Sequence, residues 1–164
     1  MRIVGGALKG RALVAPEGLG TRPTSDRARQ AIFNVLEHAP WSPGLRGARV
    51  LDLFAGTGAL GLEAISRGAV HALFVERDRQ AQAALRANID ALGVGGAAKV
   101  SPRDATKLGP RPNASEPAFD VVFLDPPYAQ GLGEAALEAV RAESWLSPHG
   151  SVVWECARDE TSAA

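Results

Sequence analysis

A chain of 164 residues, 46% apolar and 22% charged, is long enough to bury one substantial core and has the balance of a globular domain, not a disordered one. Its single cysteine, Cys156, excludes an internal disulfide and a thiolate zinc cluster, and His38, His71 and His149 lack ligand spacing, so no metal is expected. No apolar run reaches membrane-spanning length and no signal-peptide core opens the chain, which points to a cytoplasmic protein. The formal net charge of zero hides an asymmetry: residues 1–49 hold eight Lys/Arg against three Asp/Glu, and the remainder holds ten against fifteen. A basic N-terminal module on an acidic body suits contact with phosphates. Random placement of solvated charge is the plainer alternative.

Residues 2–14 interleave short apolar stretches with Gly5-Gly6 and Gly10, a pattern expected for a β-hairpin with Lys9 and Arg11 at its tip. Glu17 to Arg22 reads as a glycine-rich loop. Thr24 or Ser25 then caps a helix starting at Asp26, with Ala28, Ile32, Val35 and Leu36 at helical spacing, and Pro40 and Pro43 end it. From Arg49 onward strands alternate with helices, the signature of a mainly parallel sheet. Strands are expected at Val50–Phe54, Ala72–Val75, Ala98–Ser101, Asp120–Leu124 and Ser151–Glu155, with helices near Ala59–Arg67, Arg79–Leu92 and Gly133–Glu143. This divides the chain into an extension, residues 1–47, and an α/β domain, residues 48–164. The tail from Arg158 is polar.

Two motifs carry chemistry. The first strand of the α/β domain runs into Asp52-Leu53-Phe54-Ala55-Gly56-Thr57-Gly58, whose glycines permit a tight strand-to-helix turn and close backbone approach of a ligand. Glu76, just past the second strand, can accept both hydroxyls of a ribose, and Asp104 after the third can face an adenine amine. Gly56-Thr57-Gly58-Ala59-Leu60-Gly61 also satisfies the dinucleotide fingerprint, so NAD stays open. Asp52, however, places a carboxylate at the mouth of the turn, repelling a pyrophosphate and attracting an ammonium or sulfonium. Alternatively, Asp52 caps the turn that follows it.

The second motif is Asp125-Pro126-Pro127-Tyr128, directly after the fourth strand. Open α/β sheets bind ligands at that end of their strands. A carboxylate, prolyl carbonyls freed from any N–H, and an aromatic face together suit a planar ring with an exocyclic amine. The other possibility is a strand end closed by Pro-Pro.

D-L-F-A-G-T-G, Glu76, Asp104 and D-P-P-Y resemble the class I S-adenosylmethionine-dependent methyltransferases that act on exocyclic amines. Adding Arg2-Ile3-Val4-Gly5-Gly6, Lys9-Gly10-Arg11, Arg22-Pro23-Thr24-Ser25-Asp26-Arg27-Ala28-Arg29 and Phe33-Asn34, the chain resembles the bacterial 16S rRNA guanine-N2 methyltransferase family from Met1 to about Glu155. The resemblance implies a Rossmann-like fold, S-adenosylmethionine as cofactor and 16S rRNA, in the small subunit or an assembly intermediate, as partner. It implies cofactor contacts from Glu76, Asp104, the Gly56–Gly58 backbone with Phe54 and Asp52, and Thr24 at the methionine carboxylate. Asp125, Pro126 and Tyr128 are the expected catalytic residues, and Lys9, Arg11, Arg22 and Arg27 the expected phosphate contacts. Arg27 and Arg29 stand about 200° apart on a helix and cannot both face one groove. An N6-adenine DNA methyltransferase and a non-catalytic RNA-binding assembly module are the competing functions. The family closes its sheet with an antiparallel hairpin after strand five, and this chain reaches Ala164 before any such strands. The expectation is an exposed sheet edge, or one covered by a partner or by chain absent here.

Overall fold

Strands buried on both faces, with successive side chains pointing to opposite sides, lie between helices and so organise the molecule into three layers. The computed structural model describes residues 1–15, 25–113, 115–126 and 131–154. In chain order these form α1 (Asp26–His38), β1 (Arg49–Leu53), α2 (Ala59–Ser66), β2 (His71–Val75), α3 (Arg79–Leu92), β3 (Ala98–Ser101), a 3-10 turn (Ala105–Lys107), β4 (Phe119–Leu124), α4 (Leu132–Ala142) and β5 (Leu146–Trp154). The strands make one parallel sheet in the order β3-β2-β1-β4-β5.

Alternation sends Val50, Ala72, Phe74, Val121 and Phe123 to one face, under Phe33 and Leu36 of α1, Leu60 and Leu62 of α2, and Leu85 and Ile89 of α3. Leu51, Leu53, Leu73, Val75, Val122 and Leu124 go to the other, under Ala136 and Val140 of α4 with Trp145 and Leu108. Ile3 and Leu13 of the N-terminal segment belong to the first cluster, so residues 1–15 and α1 share their core with the α/β body. Among the described residues no helix is long and apolar enough to cross a membrane.

Several boundaries move from their expected places. The N-terminal hairpin is reduced to a single antiparallel bridge, Arg2 to Ala12, with backbone bonds from Ile3 N–H to the Arg11 carbonyl and from Leu13 N–H to the Met1 carbonyl. Its tip docks on α2, where Ser66 and Glu63 take up the N–H groups of Val4, Gly5, Ala7 and Leu8. In α1 the buried stripe is Arg29, Phe33 and Leu36, while Val35 is 52% exposed. A buried arginine takes the place where apolar spacing put a hydrophobe. β5 starts at Leu146, five residues early, because Phe119 pairs with Leu146 before a register shift brings Val121 opposite Ser151. Pro148 and Gly150 fall within that irregular stretch, as is common at sheet edges. Glu155, Cys156 and the tail lie outside the described residues. β5 is the terminal strand of the sheet as described.

Candidate active site

Sheet order reverses between β1 and β4, the place where open α/β folds leave a crevice. Leu53 is in register with Val75 on one side and Leu124 on the other, and Val75 with Ser101. The next residues, Phe54, Glu76 and Asp125, therefore emerge side by side at one edge, with Asp104 three positions beyond Ser101. Strand register alone brings three of the expected site residues together, and the ion pair of Asp104 with Arg77, the residue after Glu76, places the fourth near them.

The chain leaves β1 through Phe54 in a left-handed conformation, φ 57°. Gly58 has φ 85°, and a Cβ there would fall 2.3 Å from Leu85 Cδ1. At Gly61, on α2, a Cβ would come 2.3 Å from the Phe74 ring, so the absent side chain lets α2 approach the sheet closely. Gly56 is different: its φ is 57°, yet a Cβ there would have nothing within 4 Å. Gly58 and Gly61 serve packing, and Gly56 leaves the backbone open to an approaching ligand.

Four carboxylates gather at this end of the sheet. Asp52 is 1% exposed and lies beneath the glycine turn, its Oδ2 accepting the Gly61 N–H at 3.0 Å. Burial pushes its carboxyl well above the ordinary value; the Gly61 N–H opposes this, and the charges of Asp125 and Glu76 add to the rise. Glu76 accepts from Gly56 N–H at 2.8 Å and from Asp78 N–H at 2.9 Å, which ties the glycine turn to the start of α3. Each of its oxygens keeps a second lone pair. Asp104 accepts from the Thr106 hydroxyl and N–H and pairs with Arg77 at 3.2 Å; the Thr106 bonds chiefly hold its carboxyl below the ordinary range. Asp125 and Pro126 are half-buried at the end of β4.

Other expected residues divide. Arg22 and Thr24, and Pro127 and Tyr128, lie outside the described residues. Lys9 and Arg27 are exposed. Arg11 is exposed too, but its guanidinium donates to the Ala91 carbonyl of α3 at 2.6 Å. Arg29 turns inward, fully buried, bonded to Asp26, to Glu63 at 3.1 Å and to the Arg2 carbonyl at 2.7 Å. Glu63, also fully buried, adds Val4 N–H, Gly5 N–H and Arg67. Sequence reasoning missed this hub, because an acid in mid-helix reads as surface until its four donors are seen. Among the described residues no cluster of His, Cys, Asp and Glu is placed to hold a metal ion.

The donor set fits S-adenosylmethionine. Its sulfonium and ammonium are cations, and the turn is ringed by Asp52, Glu76 and Asp125, whose mutual repulsion a cation relieves. Glu76 would hold the ribose hydroxyls and Asp104 the adenine amine, while Gly56 gives the backbone room.

Comparison with known proteins agrees. The family model described as Conserved hypothetical protein 95 matches residues 1–164. Ribosomal RNA small subunit methyltransferase D of Escherichia coli K12 is 37% identical over 155 residues, 94% of this chain and 74% of that protein. The protein of the same name from Haemophilus influenzae is 35% identical over 161 residues, 98% and 80% of the two chains. The solved structure of a hypothetical protein from Thermus thermophilus matches with TM-score 0.78 and 34% identity, covering 99% of this chain and 90% of that one. The methyl donor of this chain is S-adenosylmethionine. With the switch point between β1 and β4, the glycine turn with its carboxylates and a match along its whole length, the chain belongs to this family of class I, S-adenosylmethionine-dependent rRNA methyltransferases.

Proposed function

We propose that the chain methylates the exocyclic N2 amine of a guanine in 16S rRNA, within the small subunit or an assembly intermediate. The observation that carries this reading is the position of Asp125 and Pro126, where β4 ends at the switch point beside the cofactor turn. S-adenosylmethionine, when bound, supplies an electrophilic methyl group. An aryl amine is a weak nucleophile because its lone pair is delocalised into the ring. The Asp125 carboxylate and the Pro126 carbonyl accept its two N–H groups and hold the nitrogen pyramidal, with the lone pair aimed out of the ring plane. Orientation of this kind lowers a barrier by up to about 7–11 kcal/mol. The Asp125 charge also stabilises the positive charge that develops on nitrogen, and Asp125 or water takes the proton. Tyr128 stacks on a base turned out of its helix or loop, at a cost of a few kcal/mol. Thr24 meets the methionine carboxylate. Lys9, Arg11, Arg22 and Arg27 hold RNA phosphates.

The test is labelled methyl transfer to small ribosomal subunits, naked 16S rRNA and DNA, with product nucleosides identified by mass. N2-methylguanosine from the RNA is the expected product, and N6-methyladenine or no transfer overturns the reading. Asp125→Ala should lower turnover at least about 100-fold while leaving cofactor affinity nearly unchanged. Normal methylation by that variant removes Asp125 from the mechanism.

A further inference from the structure

Asn88 is an unusual residue to find where it is. It lies near the C-terminal end of α3, where asparagine is a poor helix former, and it is 1% exposed. Its Oδ1 accepts the Val14 N–H at 2.8 Å. Its Nδ2 donates to the Val14 carbonyl and to the Thr57 carbonyl, each at 3.0 Å. One amide thus pairs both backbone groups of a residue in the N-terminal arm, as a neighbouring strand would, and uses its remaining N–H on the glycine turn. Aspartate has no donor and leucine has neither donor nor acceptor, so this arrangement needs an amide.

The arm is fastened to the same region at other points. The Thr57 hydroxyl lies 3.9 Å from the Met1 sulfur, and Arg11 donates to Ala91 one turn beyond Asn88. Leu13, the neighbour of Val14, is buried in the core cluster. Thr57 sits between Gly56 and Gly58, in the turn that the cofactor approaches, and Val14 leads in sequence toward Arg22 and Thr24.

We propose that Asn88 is a positioning residue that locks the basic arm and the cofactor turn into one unit, so that cofactor affinity depends on the arm being seated. Loss of the clamp frees Thr57 and Val14 together. By linkage, a ligand that holds the turn also holds the arm. The part of the inference concerning RNA rests on the reading of the arm in the preceding section; the clamp itself does not.

The test uses the full chain. Asn88→Asp preserves size, removes both donors and sets a carboxylate oxygen against two carbonyls; Asn88→Ala removes the amide without adding charge. S-adenosylmethionine affinity by calorimetry should weaken about tenfold in Asn88→Asp. KM for the cofactor should rise in parallel, with kcat at saturating cofactor within about twofold of wild type. A merely structural residue would lower the melting temperature and the active fraction and leave Kd and KM unchanged, and that outcome overturns the proposal. Amide exchange on the unmodified protein needs no variant to fold. Saturating S-adenosylmethionine should slow exchange at the Val14 N–H about fivefold, and an unchanged rate is equally fatal. If Val14 is protected but small subunits are not methylated, the clamp stands and the RNA reading falls.

Discussion

Asp52 holds its proton more tightly in the folded protein than in the unfolded chain. Its carboxyl is raised first by burial and then by Asp125 and Glu76, above an ordinary value of 3.8. Between that value and the pH at which the folded group ionises, the native state binds more protons than the unfolded state. The contribution of Asp52 to stability is therefore complete below about 3.8 and declines as pH rises through the folded group's pKa. Asp52→Asn keeps an acceptor for Gly61 N–H and should flatten this part of the curve, measured as urea unfolding free energy against pH. An unchanged slope would show that Asp52 titrates alike in the folded and unfolded chain. A bound cation favours the carboxylate, so S-adenosylmethionine affinity should increase with pH over the same window. The spacing of Asp52 from the glycines is plain in the sequence. That it lies beneath the turn is not, because an acid inside an apolar strand gives no sign of which face will cover it.

The glycine turn gives an element-scale test, since its residues face different surroundings. Gly58→Ala forces a left-handed alanine against Leu85 and should cost at least about 2 kcal/mol in urea unfolding. Gly56→Ala meets no neighbour and should cost about 1–2 kcal/mol, from backbone conformation alone. It should nonetheless weaken cofactor binding by more than its stability loss suggests. Equal effects on stability would mean that the space above Gly56 is not open. Elements of the sheet are legible in the sequence because buried parallel strands are apolar runs broken by helix-length stretches: β1 to β4 fall within a residue of expectation. β5 and the hairpin are not so legible. Pro148 and Gly150 read as a break where an edge strand tolerates them, and residues 2–14 do pair antiparallel, but through a single bridge, because the N–H groups nearer the tip bond α2.

Over the whole molecule, the basic N-terminal region reads from its charge as an appendage, but Ile3, Leu13, Phe33 and Leu36 lie in one buried cluster with Val50, Leu62 and Leu85. The buried ion pair of Arg29 with Glu63 spans the same boundary. Unfolding should then be a single transition. Trp41, 62% exposed before β1, and Trp145, fully buried beyond α4, should report the same denaturant midpoint as far-UV circular dichroism. Separate midpoints would show that residues 1–47 fold independently. Charge asymmetry is visible in composition, whereas the joining of the two regions depends on pairings such as Val4 and Gly5 with Glu63, 59 and 58 positions away, which no local pattern encodes.

The inward turn of Arg29 also bears on how RNA affinity responds to ionic strength. A cation releases a condensed counterion from a nucleic acid only if it reaches a phosphate, and each such contact contributes about 0.7–0.9 to the slope of log affinity against log salt. Arg29 counts among the eight bases of residues 1–49 but is fully buried against Glu63. Lys9→Ala and Arg27→Ala, both at exposed positions, should each lower the slope by about that amount. Arg29→Lys should leave the slope unchanged in the folded protein, and a loss there would mean that the salt response of this surface cannot be counted from its exposed cations.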